Sequence, residues 1–240
     1  AALGEVVATT RDGRLHDGGS AIAADLGEPQ GLAQVVREVA PDAVVNAAAY
    51  TAVDKAESEP EVAFRVNGQA PGVLAAACAE AGIPLVHYST DYVFDGQGTR
   101  PYREDDPTAP LGVYGASKLA GEEAIRAAGG RHLVFRTAWV YAAHSSNFLR
   151  TMLRLGAERD ELRVVADQVG TPTPAALIAD VTAVALRRAL GDAGVSGTWH
   201  LVADGHTSWH GFAEAIFAEA VAAGLLPRAP RVQAIATADY

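Results

Sequence analysis

A chain of 240 residues, 49% hydrophobic and 20% charged, can bury a core and make one large domain or a domain with a smaller lobe. Its formal net charge of −10 excludes the basic face that general nucleic-acid binding requires, and its single cysteine, Cys78, excludes an internal disulfide framework. With no signal peptide and no uncharged apolar stretch long enough to span a bilayer, no membrane partner is expected and the cytoplasm is the expected compartment.

From the amino end, Glu5–Thr9 reads as a short strand. Arg11, just past it, stands where a dinucleotide fold can set a cation against an adenosine 2′-phosphate; a surface arginine in a turn is the equal alternative. Residues 29–40 put Leu32, Val35, Val36 and Val39 on one side of an amphipathic helix. Ala43–Ala47 reads as a buried parallel strand, and the small side chains of Ala47, Ala48 and Ala49 would let a flat cofactor lie against its carboxyl end. Asp54–Gly82 is a long helical pattern interrupted near Gly68 and Pro71. Leu85–Ser89 is the next parallel strand, with His87 inside it as a satisfied interior histidine. The loop that follows runs to Pro110, and its charged stretch Tyr102–Asp106 reads as solvated.

Tyr114–Ala128 is predicted as a helix with Glu122 and Glu123 on its outer side. His132–Arg136 and Leu162–Ala166 read as strands, and Asn147 begins a helix whose Arg150 or Arg154 could face a diphosphate. Trp139, at a strand's ligand edge, offers a flat face for a sugar or base, or else fills the core. Ala175–Leu190 reads as a helix, Gly197–Val202 as the last strand, and Ser208 as an N-cap. No His/Cys cluster has metal-site spacing, so no metal is expected.

This alternation predicts an α/β fold: a Rossmann-type doubly wound, mostly parallel sheet with a small discontinuous C-terminal substrate lobe. Residues 1–142 would form the dinucleotide-binding domain, and 143–240 a mixed segment contributing the lobe and returning elements of the main sheet.

The chemistry concentrates between Ser89 and Lys118. Tyr114 and Lys118 lie four residues apart, one turn from each other on a helix face. An ammonium beside a phenol favours the phenolate and eases proton donation. A hydroxyl from Ser89 or Thr90 could hold a substrate oxygen against that phenol, the usual companion of hydride transfer with a nicotinamide.

Five stretches together, Val45–Glu57, Ser89–Gly96, Val113–Glu122, Arg136–Tyr141 and Asp167–Pro172, resemble the extended short-chain dehydrogenase/reductases, specifically the dTDP-4-dehydrorhamnose reductase family. The resemblance implies reduction of the 4-keto group of dTDP-4-dehydro-6-deoxy-L-mannose to dTDP-L-rhamnose by NADPH, or NADH in its place. It implies Thr90, Tyr114 and Lys118 as catalytic residues, with Tyr114 the proton donor and Lys118 on the nicotinamide ribose. Arg11, Asp25, Leu26, Ala47, Ala48 and Tyr50 would border the cofactor. Thr51, Val53, Ser89, Thr90, Asp91, Tyr92 and Trp139 would line the nucleotide-sugar substrate, with Gln168 and Thr173 in its lobe. Asn67 matches an asparagine that supports the active-site backbone and a water relay in this superfamily, though a helix-bending role serves nearly as well.

A dinucleotide unit should open with a strand and a glycine-rich turn, and no G-x-x-G-x-x-G is present. The expectation is that numbering begins at the first ordered residue, so the cofactor residues named above are an incomplete set. At the other end, family members continue past Tyr240 with a stretch near the substrate's nucleotide. The open alternatives are a reductase or epimerase of another nucleotide sugar, and a non-catalytic regulatory subunit, as a monomer or homodimer.

Overall fold

The computed structural model describes residues 3–15 and 18–240. The chain divides into two compact units: Ala1–Arg136 with Val181–His200, and Thr137–Asp180 with Leu201–Tyr240. The expected break at 142 therefore falls at 136–137 instead, and Val181–His200 is the part of the later chain that returns to the first unit.

In the first unit, apolar runs short enough for strands alternate with helical ones. Its strands are β1 (Thr9–Thr10), β2 (Ile22–Ala23), β3 (Val44–Asn46), β4 (Leu85–Thr90) and β5 (His132–Thr137, whose last residue opens the second unit). The sheet strand β10 (Gly197–His200) joins them from far along the chain. The helices are α1 (Leu32–Val39), α2 (Val53–Ala56), α3 (Pro60–Phe64), α4 (Ala70–Ala81) and α5 (Val113–Ala127). The main sheet is four-stranded and wholly parallel, in the order β10-β5-β4-β3, and β1 and β2 form a separate parallel pair.

Residues 5–8 do not extend β1, contrary to the sequence reading. The Ala8 carbonyl accepts Ile22 N–H and the Thr10 carbonyl Ala24 N–H, and Val6 and Val7 are exposed rather than sandwiched. Val45 is likewise exposed, and among the described residues β3 pairs with β4 alone. The interior strands β4 and β5 carry the continuous apolar character expected of strands covered on both faces: Leu85, Val86, Leu133 and Val134 are buried. The core forms where α1, α4 and the sheet meet, around Leu32, Val36, Leu74, Cys78, Leu85, Ile125 and Val134.

The long 54–82 pattern resolves into α2, α3, a five-residue π-turn over Arg65–Gln69, and α4. Gly82 ends α4 at φ +69°, its N–H capping the Ala79 and Cys78 carbonyls, a left-handed position that glycine takes without a Cβ penalty.

The second unit contains β6 (Val140–Tyr141), α6 (Phe148–Glu158), β7 (Glu161–Val165), β8 (Val169–Gly170), β9 (Thr173–Pro174), β11 (Thr207–Ser208), α8 (Trp209–Ala222) and β12 (Arg231–Ile235). Helix α7 (Ala175–Gly191) runs from this unit into the first. Strand β7 pairs parallel with β12, β6 parallel with β9, and β8 antiparallel with β11. Its core is Met152, Leu162, Val164, Phe212, Ile216 and Phe217. Asn147 caps α6 through Arg150 N–H, and Ser208 caps α8 through Gly211 N–H at 3.0 Å. Among the described residues no helix is long and apolar enough to cross a membrane.

Candidate active site

Strand β4 ends at Thr90, whose Oγ1 accepts the Tyr92 N–H at 3.2 Å and starts a 3-10 turn over Asp91–Val93. The same hydroxyl donates to Asp91 Oδ1 at 3.0 Å. Helix α5 begins against this turn. Gly115 makes that approach possible, because a Cβ there would collide with the Tyr92 carbonyl. Tyr114 is thereby brought edge-on to Tyr92, with ring centroids 5.5 Å apart and planes at 80°. Burial pushes the Tyr114 phenol up to about 12; its hydrogen bond with Thr90 works the other way, and Asp91 and Tyr92 add to the rise. At neutral pH Tyr114 therefore holds its proton, as a donor must.

One turn on, Lys118 is buried. Its Nζ donates to the Tyr88 carbonyl at 2.6 Å and lies 3.3 Å from His87 Nε2. Burial lowers Lys118 to about 8, with Glu122 opposing the fall. The sequence expectation that the lysine cation draws Tyr114 towards phenolate is thus outweighed by burial of both groups. His87 is the interior histidine expected, with Nδ1 3.1 Å from Asn46 Nδ2. Burial, then the Lys118 charge, hold its pKa well below the usual histidine range.

Glu122 is not on the outer side of α5. It is fully buried, accepts Arg136 Nε at 2.9 Å and Nη2 at 2.7 Å, and takes the Ser89 hydroxyl at 2.6 Å. Burial works to raise its pKa, yet Arg136, Ser89 and Arg126 together hold it below the ordinary carboxylate value. The signal was available: Tyr114, Lys118 and Glu122 stand at i, i+4 and i+8, so the face that carries the first two carries the third. Ser89 is thus committed to this carboxylate, leaving Thr90 as the hydroxyl beside Tyr114.

The Tyr102–Asp106 stretch is not merely solvated. Tyr102 stacks on Phe94 at 4.3 Å, the Glu104 carbonyl accepts Arg136 Nη1, and Glu104 Oε1 accepts the His200 N–H.

At the carboxyl end of β3, Ala47 and Ala48 are exposed and Ala48 N–H donates to Asn46 Oδ1 at 3.3 Å. Asn67, buried within the π-turn, accepts Tyr50 N–H at 2.8 Å and donates to Tyr50 O at 3.0 Å and to Ser117 Oγ at 3.0 Å. It fixes the backbone of this edge rather than merely bending a helix. Thr51 is exposed and Val53 opens α2 half-buried. Arg11 follows β1 and is exposed; Asp25 follows β2 and closes a turn onto Gly27 N–H at 2.7 Å, and Leu26 packs on the core. The structure so joins Thr90, Asp91, Tyr92 and Tyr114, with Lys118 one turn along α5 on the Tyr88 carbonyl, while Arg11 and Asp25 flank the separate β1–β2 pair.

In the second unit Trp139 adopts φ +47° and stacks on Trp209, with centroids 3.5 Å apart and planes at 7°. Trp209 Nε1 donates to Gln168 Oε1 at 3.2 Å, and Gly170 leaves room for the Trp139 indole where a Cβ would clash. Arg150 turns to the Ala143 carbonyl and Arg154 to Glu158. No cluster of three or more His, Cys, Asp or Glu suited to a metal occurs among the described residues.

The family model for the RmlD substrate binding domain matches residues 2–240. A dTDP-4-dehydrorhamnose reductase of Burkholderia thailandensis is 55% identical over 222 residues, covering 91% of this chain and 71% of its own length. The one from Escherichia coli K12 is 51% identical over 216 residues, covering 90% and 72%. The crystal structure of a dTDP-4-dehydrorhamnose reductase from Bacillus anthracis in complex with NADP matches with a TM-score of 0.80 at 37% identity, covering 90% of this chain and 73% of that one. Likeness at this level in sequence and in Rossmann-like fold, over both the tyrosine–lysine helix and the aromatic unit, establishes that the chain belongs to the dTDP-4-dehydrorhamnose reductase family.

Proposed function

We propose that this chain reduces the 4-keto group of dTDP-4-dehydro-6-deoxy-L-mannose to dTDP-L-rhamnose, using NADPH, or NADH in its place. The observation that carries the reading is the placing of Tyr114 edge-on to Tyr92 in the turn that Thr90 starts, one helical turn before a buried Lys118, in a chain of this family. The donor set suits a nicotinamide cofactor: exposed methyl side chains at Ala47 and Ala48, a backbone fixed at Tyr50, and the Lys118 ammonium. When bound, the cofactor supplies hydride to the carbonyl carbon.

The remaining work falls to the chain's own groups. Tyr114 Oη gives its proton to the substrate oxygen, and Thr90 Oγ1 orients that oxygen. The Tyr114 hydroxyl as a fixed donor also stabilises the negative charge growing there, an effect worth about 3 kcal/mol, and Thr90 adds to it on turning its one hydrogen from Asp91 Oδ1 to that oxygen. Lys118 keeps an N–H beyond those directed at Tyr88 O and His87, and with it would hold the nicotinamide ribose. Arg11, exposed just past β1, is suited to a 2′-phosphate, which favours NADPH. Asp25, Leu26 and Tyr50 would complete the cofactor edge. Thr51, Val53, Asp91 and Tyr92 are the proposed substrate contacts. The protein is proposed to work in the cytoplasm as a monomer or homodimer, a setting that an acidic chain with no membrane-length helix among its described residues suits.

The test is stoichiometry with product identification. Incubation with the 4-keto sugar nucleotide should consume one NADPH per dTDP-L-rhamnose formed. Product without net NADPH consumption would indicate an epimerase, and binding without turnover a non-catalytic role; either result overturns the reading.

A further inference from the structure

A hydrogen-bond conflict lies behind Lys118. His87 is buried between two partners, with Nδ1 3.1 Å from the Asn46 amide and Nε2 3.3 Å from Lys118 Nζ. A neutral imidazole donates from one nitrogen and accepts at the other. A charged lysine has no lone pair, so beside it Nε2 must accept and Nδ1 must carry the hydrogen. Asn46 then has to present its oxygen to Nδ1, which turns its NH₂ towards Ala48 N–H and breaks the 3.3 Å bond that Ala48 makes to Asn46 Oδ1. A neutral lysine, which has a lone pair as well as two N–H donors, permits the reverse, and the Ala48 bond favours it. Its lone pair accepts from Nε2–H, Nδ1 accepts from Asn46 Nδ2, and Asn46 Oδ1 keeps the Ala48 N–H. The arrangement that keeps the Ala48 N–H on Asn46 Oδ1 is open only to the neutral lysine, and it differs from the charged one by one proton.

We propose that Asn46 and His87 are positioning residues that form a tautomeric relay with Lys118, so that the charge on Lys118 decides whether the Ala48 N–H at the exposed end of β3 is bound internally or free for a ligand. In the charged state Lys118 donates to Tyr88 O and His87 Nε2, and the Ala48 N–H is released. On deprotonation the hydrogen that Lys118 gives up forms the Nε2–H bond, the Nδ1–H bond breaks, and that proton passes to water. The net change is one proton lost, with the imidazole hydrogen moved from Nδ1 to Nε2 and the Asn46 amide turned over. The proposed catalytic lysine and the carboxyl end of β3 are thereby linked through two buried residues.

The surrounding charges leave this proton as the one that titrates. Glu122, one turn along α5, is held as a carboxylate by Arg136 from β5 and by Arg126. Tyr114, one turn back on α5, is pushed up to about 12, and His87 itself is held well below the usual histidine range. Lys118, lowered to about 8 by burial, is the member that changes state near neutral pH.

The experiment is ¹⁵N NMR of the histidine ring nitrogens in the whole protein across pH 7 to 9, about one unit either side of the midpoint. His87 is assigned by the signal lost in His87→Gln. The expected result is a switch from the Nδ1–H to the Nε2–H tautomer with a midpoint near that of Lys118, the ratio changing about tenfold per pH unit. Lys118→Met, similar in shape and uncharged, should leave one tautomer at every pH. A single tautomer throughout the wild-type titration would overturn the proposal, as would a switch that persists in Lys118→Met. The relay rests on the site proposed for reduction, but its readout needs no turnover, so the failure of one is distinguishable from the failure of the other.

Discussion

In the proposed mechanism Lys118 sets the alkaline side of activity. Its pKa is lowered from 10.5 to about 8, so the ammonium predominates below that pH and the free amine above it. The kcat/KM for reduction should therefore fall as pH rises through about 8, a limb assigned to the lysine rather than to Tyr114, which stays protonated until about 12. For stability the sign is opposite: the folded chain binds fewer protons than the unfolded chain between these two lysine values, so this group's contribution rises with pH there. Lys118→Arg should remove the limb from the accessible range, checked by a pH–rate profile. Glu122 is the second residue on which much depends. Glu122→Gln leaves the Arg136 guanidinium buried without a counter-charge, and breaking such a pair costs about 3–5 kcal/mol, measurable by urea unfolding. Because the carboxylate's pKa is depressed in the fold, its contribution is present above the usual carboxylate range and lost as pH falls through the folded value. The Tyr114–Lys118 pair was legible because both ends lie within one helical turn. The burial of His87 was legible but its partners were not, since they are 41 and 31 residues away, Asn46 being brought by the parallel β3–β4 register and Lys118 by the packing of α5.

At the scale of elements, α5 carries the site and is held against its neighbours by glycines. A Cβ at Gly121 would strike the Asn67 carbonyl, in the π-turn that clamps Tyr50. Gly121→Ala should lower stability by about 1–3 kcal/mol through overpacking, read as a drop in Tm. Its kcat should fall as well, because the same displacement moves Tyr114. The sheets should also differ in local stability. Amides of β4 and β5, buried in the four-stranded sheet, should exchange hydrogen far more slowly than those of the two-residue β1–β2 pair. Equal protection in a mass-spectrometric exchange experiment would contradict that difference. Helix ends such as Ser208 and Asn147 were legible because capping is local chemistry. The short extent of β1 and the exposure of Val45 were not, because they depend on which strands stand beside them.

For the whole molecule, α/β alternation made the fold class readable and the five matching stretches made the family readable. The division was only half readable: the chain passes between units after Arg136, Asp180 and His200, where no proline or glycine run marks a boundary. The account as a whole depends on one atom, the Tyr114 hydroxyl, serving as the proton source for reduction at the sugar's 4-keto carbon. The direct measurement is steady-state NADPH oxidation by the wild-type protein and by Tyr114→Phe on the 4-keto substrate, with folding of both checked by circular dichroism. The account predicts that kcat falls about 100- to 1,000-fold while KM changes little, as for a group that acts in the transition state. A folded Tyr114→Phe protein that turns over at close to the wild-type rate would contradict it.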